Sequence, residues 1–154
     1  MSRDPNSSKI SNDKISHANH FVLAFDIGLK RTGVAAGQSL SKTSQPAGQI
    51  QGDNGQLDWL HLKKIFAEWQ PTVVVIGDPR SKDPHLNKLI NRFKSHIQKN
   101  YKTPIVEINE ELTSAYANTK LQEFNFNTQK KISLRDQIAA CLILDGYFNS
   151  VDSI

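Results

Sequence analysis

FVLAFDIGLKRTGVAAG, residues Phe21 to Gly37, reads as two apolar runs joined by a glycine-flanked basic turn, with one carboxylate, Asp26, at the junction. Phe21 to Phe25 has the length and bulk of a strand buried on both faces. Gly28 and Gly33 allow a tight reversal into an antiparallel partner that continues through Ala36. Asp26 then ends a central strand. By period-two alternation it shares a face with Val22 and Ala24, which places a charge at the rim of a core. That position costs free energy unless a cation, a proton or several donors compensate it. The plainer alternative is a turn aspartate bonded to its own backbone before a glycine.

At 154 residues, 38% hydrophobic and 22% charged, the chain fits one globular domain with a substantial core. Nineteen Lys and Arg against fifteen Asp and Glu give +4, a mild lean toward a polyanionic partner. The single cysteine, Cys141, sits in an apolar run, reads as a small core residue and excludes an intrachain disulfide. Residues 1–20 are rich in Ser, Asn and charge, and read as a disordered polar tail. His17 and His20 there have a metal-compatible spacing with nothing to hold a helix. No secretory signal and no stretch of membrane-spanning length is present, so the expected location is cytoplasmic and no membrane partner is expected. The domain spans 21–150, with 151–154 as a C-terminal tail.

Further along, Lys42 to Ile50 can supply a third short strand, with Pro46 pointing to an edge, and Gly52 to Gly55 is a loop. Leu57 to Trp69 carries Leu62, Ile65, Phe66 and Trp69 at helical spacing and ends before Pro71; Trp59 and Trp69 read as core. Thr72 to Ile76 is a β-branched run, hence a buried strand reached by a helical crossover and parallel to the first. It leads into a proline-bounded loop containing Arg80 and Lys82. From Leu86 a second helix presents Leu89, Ile90, Phe93 and Ile97, while Lys88, Arg92, Lys94 and Lys99 fall on other faces and read as solvated surface. Pro104 to Ile108 is a short buried strand that delivers Asn109, Glu110 and Glu111 to its end. Leu112 to Phe124 reads as a helix, Asn125 to Lys131 as a polar loop with Lys130 and Lys131, and Leu134 to Phe148 as a largely buried closing helix.

This order gives an antiparallel β1-β2-β3 unit followed by parallel strands and crossovers: an α/β, mixed five-stranded sheet flanked by helices, resembling the plan of the ribonuclease H fold. In such a sheet, chemistry gathers at the C-terminal ends of adjacent parallel strands. Asp26 ends the first strand, Glu110 ends the last, and Asp136 falls in the first turn of the closing helix. Three carboxylates about 4 Å apart repel by roughly 4 kcal/mol per pair at an effective dielectric of 20. Hard divalent cations, two Mg²⁺ or Mn²⁺ ions, relieve that repulsion and can activate water at a phosphodiester. Lys30, Arg31, Arg80, Lys82, Lys130 and Lys131 all lie in loops, where they can contact phosphates, with Lys30 the best placed. Asp136 also fits another role: Ser133 as N-cap and Asp136 as the N3 acid of a capping box.

These residues carry a resemblance. The chain resembles the YqgF family of pre-16S ribosomal RNA nucleases, also called Holliday-junction-resolvase-like proteins, over roughly Phe21 to Ser150. The opening motif Asp-x-Gly-Thr-Lys-x-x-Gly-Val-Ala appears as Asp26-Ile27-Gly28-Leu29-Lys30-Arg31-Thr32-Gly33-Val34-Ala35. Ile76-Gly77-Asp78-Pro79 resembles the central Val-Gly-x-Pro, and Asn109-Glu110-Glu111-Leu112-Thr113-Ser114 resembles Asp-Glu-Arg-Leu-Thr/Ser-Thr. Asp136-Gln137-Ile138-Ala139-Ala140 through Leu144 resembles the last motif. The resemblance implies a metal-dependent endonuclease, with Asp26, Glu110 and Asp136 as catalytic metal ligands, acting on structured precursor ribosomal RNA in ribosome biogenesis. The ribosome or its precursor is then a possible partner, and the oligomeric state monomer or dimer. Leu29 for Thr, Asn109 for Asp and Glu111 for Arg depart from the pattern, and none of the three acids is lost.

Other classes stand beside this reading. A Holliday-junction-type DNA resolvase would use the same acids, in a dimer with two sites. A non-catalytic RNA-binding module would use the same cations and need none of the acids. The actin and sugar-kinase ATPases share the Asp-x-Gly turn but need two domains and a second phosphate loop.

Overall fold

Phe21–Asp26 (β1) lies in the middle of the sheet, where its apolar run predicts it. In the computed structural model, which describes residues 19–53, 55–78, 82–109 and 128–152 (128–131 and 152 by backbone only), β1 pairs antiparallel with β2 (Arg31–Gln38) and parallel with β5 (Val73–Asp78). β3 (Thr43–Asp53) extends the antiparallel side, and β6 (Ile105–Asn109) runs parallel to β5. The helices among the described residues are α1 (Trp59–Trp69), α2 (Pro84–Asn100) and α3 (Thr128–Asp152).

Among the described residues the sheet has six strands, not five: with β4 (Gln56–Leu57) at one end, the order is β4-β3-β2-β1-β5-β6. The added strand, β4, turns the expected Gly52 to Gly55 loop into a hairpin in which Gly52 pairs with Leu57 and Asp53 with Gln56. Two residues of strand carry little periodicity, so composition alone reads them as loop. Pro46 does sit where the ladder tolerates it: the β2–β3 register slips beside its partner Ala35. β6 is half-buried rather than buried, because it forms the edge of the sheet.

Alternation along β1 feeds two cores. Leu23 and Phe25 face α1 and α2, joining Leu62, Phe66, Leu89 and Phe93. Val22 and Ala24 face α3, joining Ala140, Ile143 and Leu144. Both tryptophans pack at the edge of the first core, Trp69 against Phe21 in an edge-to-face pair 5.3 Å apart. Local signals set the helix ends. Asp58 caps α1 by accepting from the His61 N–H, and Gln70 closes it in a left-handed conformation (φ 47°) ahead of Pro71. Asp83 caps α2 with Pro84 at its first position.

The closing helix differs most from expectation. α3 starts at Thr128, so Lys130 and Lys131 belong to a helix rather than a loop, and Ser133 and Asp136 lie inside it. The capping-box role for Asp136 is therefore overturned. The Ser133 hydroxyl instead accepts from the Gln137 amide at 3.1 Å. The expected helix over Leu112 to Phe124 lies outside the described residues.

Candidate active site

Small residues bring α3 onto the sheet. Arg31-Thr-Gly33-Val-Ala35-Ala-Gly37 alternates so that Gly33, Ala35 and Gly37 face α3 while Thr32, Val34 and Ala36 face away. At Gly33 the approach is closest: a Cβ there would lie 2.0 Å from the backbone oxygen of Asp136. Gly33 is also the register partner of Asp26. Asp26 and Asp136, 110 residues apart in the chain, thus converge on one glycine, on the α3 face and at the end of β1.

Asp136 is held in place by side chains from two strands. Its Oδ2 accepts from the Arg31 Nε at 2.9 Å and from the Gln49 amide at 2.9 Å, and Gln51 in turn donates to Gln49 at 3.0 Å. The Asp136 side chain is 16% exposed, so this charge-assisted pair is partly shielded from water. Two further contacts dock α3 on β3: the Gly48 N–H donates to Gln137 Oε1 at 3.1 Å, and the Ser44 hydroxyl to Asp145 Oδ1 at 2.8 Å. Helix position, and with it the aim of Asp136, is fixed by polar contacts as well as by packing.

Of the expected site residues, Arg31 and Asp136 form an ion pair, and Asp26 is the register partner of Gly33, on which the Asp136 backbone packs. Lys30 is exposed on the β1–β2 turn, and Lys82 is exposed just before α2. β6 ends at Asn109, beside Asp78 at the end of β5. Glu110, which follows it, and Arg80 lie outside the described residues, as do the side chains of Lys130 and Lys131. Sequence reasoning missed Gln49; its signal is the alternation of Gln49 and Gln51 along β3, directly across from Gly33 and Arg31.

Asp26 and Asp136 offer oxygen only, the donor chemistry of hard divalent cations. Among the described residues no cluster of three or more metal-ligating side chains occurs, so any third ligand comes from outside them, where Glu110 lies. Both described contacts of Asp136 use Oδ2 and are made by donors that a cation can replace. The set is compatible with a metal centre. Cysteine chemistry does not fit: burial pushes the Cys141 thiol up to about 11, the nearby Asp145 charge adds to this, and the Ser44 hydrogen bond only partly opposes it.

Comparisons with known proteins bear on the family and the fold. A family model described as RuvX, Holliday junction resolvase, matches residues 20–150. A protein of Thiobacillus denitrificans named "Putative pre-16S rRNA nuclease" is 36% identical over 132 residues, 84% of this chain and 91% of that one. One of the same name from Dechloromonas aromatica is 35% identical, covering 84% and 90%. Among solved structures, the RuvC of T. thermophilus in complex with a Holliday junction substrate superposes with a TM-score of 0.55 at 11% identity, over 86% of this chain and 96% of that one. The Fowlpox virus resolvase bound to Holliday junction DNA gives 0.54 at 18% identity, over 85% and 98%. At these identities the structural likeness speaks for the fold. Among the described residues no helix is long and apolar enough to cross a membrane.

Proposed function

This chain belongs to the RuvX Holliday junction resolvase family, and we propose that it is a nuclease that hydrolyses phosphodiester bonds in precursor 16S ribosomal RNA. One observation supports the site assignment: Gly33 is both the register partner of Asp26, at the end of the central strand, and the packing point of the Asp136 backbone on the closing helix. The substrate class follows the names of relatives that share a third of its residues over most of their length.

Asp26, Asp136 and Glu110 would hold the divalent ions, Mg²⁺ or Mn²⁺. When bound, these supply an activated water and charge neutralisation at the phosphate. The remaining roles belong to the chain. The β1–β2 turn presents the Lys30 ammonium where it can hold a phosphate oxygen close to Asp26. Arg31 pairs with Asp136 and aims it, and its planar guanidinium has further N–H groups that could bind a substrate phosphate. Gln49 donates to the same carboxylate oxygen. Lys82, Arg80, Lys130 and Lys131 would contact flanking phosphates.

The test is purified protein on labelled pre-16S RNA, a four-way DNA junction and single strands, with Mg²⁺, with Mn²⁺ and with chelator. Metal-dependent cutting of the RNA, lost in Asp26→Asn and Asp136→Asn, is expected. Preferential cutting of the junction would replace RNA by DNA as substrate. Binding without cleavage of any substrate, alongside an active control nuclease, would leave a nucleic-acid-binding module.

A further inference from the structure

The same rim of the sheet carries a second feature, on the opposite face from α3. A cleft of about 530 Å³ opens between the β1–β2 turn, the β3–β4 hairpin and the first half of α2. Its walls carry Lys30, Lys88, Arg92 and His85, against one acid, Asp53. We infer that this cleft is a phosphate-binding groove that holds the substrate strand beyond the scissile position, with Lys88 and Arg92 as its principal contacts. The inference rests on the nuclease reading above and assigns residues that this reading does not use.

Three observations support it. First, the groove is built rather than incidental. The Gly52 N–H donates to the Lys30 carbonyl at 2.9 Å, and the Leu29 carbonyl sits so close that a Cβ on Gly52 would meet it at 2.6 Å, so the turn is clamped to the end of β3. Arg92 Nη1 donates to the Gly55 carbonyl at 3.2 Å, which fixes α2 to the hairpin and leaves the rest of the guanidinium to the cleft.

Second, little of the charge is compensated among the described residues. α2 contains Lys88, Arg92, Lys94 and Lys99 and no acidic residue. Lys94 is paired with Glu107 at 2.7 Å, whereas among the described residues the ion pairs, Arg31–Asp136 and Lys94–Glu107, use neither Lys88 nor Arg92. Lys88 and Arg92 are four residues apart and Lys99 lies seven further on, so all three project from one side of the helix. Such a stripe repels itself, and a polyanion relieves it. A solvated helix face would more commonly alternate its signs.

Third, the position continues the candidate site. β1 and β5 both end at this rim, α2 begins there, and the turn that follows Asp26 supplies Lys30 to the cleft wall. A strand with its reacting phosphate at Asp26 and Asp136 passes Lys30 and reaches Lys88 and Arg92 on the other side of the sheet edge. The contacts are to backbone, so they position the strand and read no base.

Fluorescence anisotropy of a labelled single-stranded pre-16S RNA segment, titrated over salt in chelator, tests the groove without cleavage. Lys88→Gln/Arg92→Gln should reduce the slope of log affinity against log salt by about 1.4, two phosphates at about 0.7 each. Lys63→Gln/Lys64→Gln, an equal charge change on exposed residues of α1, should leave the slope as in wild type. Lys88→Arg, which keeps the charge, should also keep it. Equal reductions in both double variants would mean bulk charge, and no reduction in the first would mean a solvated face; either result overturns the groove, as does failure of the wild type to bind. Cleavage by the wild type is scored separately. A slope change with no cleavage would sink the nuclease reading alone, and cleavage with no slope change would sink the groove alone.

Discussion

A methyl group at position 33 would lie 2.0 Å from the Asp136 carbonyl oxygen and 2.4 Å from its carbonyl carbon. The obstacle is helix backbone, so no rotamer change can absorb it, and α3 must move away from the sheet. Gly33→Ala should therefore cost about 2 to 3 kcal/mol, at the upper end of overpacking effects. Because the same displacement separates Asp136 from Asp26, activity should fall further than stability explains. Denaturant unfolding and cleavage rate, measured at a temperature where the variant is fully folded, separate the two. A variant with wild-type activity would show that the contact with Gly33 does not position the acids. Leu29, which departs from the Thr of the motif that the opening stretch resembles, is explained at the same scale: it packs against the core beneath the turn, so the apolar side chain anchors the loop that carries Lys30.

Between elements, the Arg31–Asp136 pair joins β2 to α3 at 2.9 Å, with Gln49 of β3 on the same oxygen. Arg31 is 32% exposed, which weakens the Coulomb attraction, while the shared acceptor and partial burial of Asp136 strengthen it. A double-mutant cycle with Arg31→Ala and Asp136→Ala should give a coupling energy of about 1 kcal/mol, decreasing as salt is added. Zero coupling would mean that packing alone docks the helix. This pair also marks how far the sequence could be read. The central strand, its antiparallel partner, the parallel crossover and the stripes of α1 and α2 follow from apolar period, and Asp26 follows from being the charge that ends a buried run. The position of Asp136 within α3 did not follow, since Thr128 to Lys131 are polar and helical propensity is a weak signal without an apolar stripe. Ser133 with Asp136 mimics a helix start, yet the helix runs through it: Gln137, one turn on, satisfies the Ser133 hydroxyl, and Arg31 and Gln49 satisfy Asp136. Nor did the cationic face of α2 announce a groove, because the walls opposite it come from segments distant in sequence.

For the molecule as a whole, divalent ions held by Asp26 and Asp136 would couple ion binding to folding. In the absence of divalent ions Asp136 is already compensated by Arg31 and Gln49, so Asp136→Asn should lower the melting temperature rather than relieve a repulsion. Ions that bind the folded chain alone stabilise it by RT ln(1 + [L]/Kd), about 1.4 kcal/mol at ten times Kd. For a chain of this size that is roughly 3 to 6 °C. Titrating MgCl₂ should raise the wild-type melting temperature by this amount and that of Asp136→Asn by less, so the gap between them should widen with Mg²⁺. NaCl at matched ionic strength supplies the reference, because screening weakens the Arg31–Asp136 pair in both series and would otherwise hide part of the gain. Asp26→Asn should behave as Asp136→Asn does if the two carboxylates share an ion. A rise in melting temperature that is the same in all three proteins would place Mg²⁺ elsewhere on the chain and remove both aspartates from the metal centre.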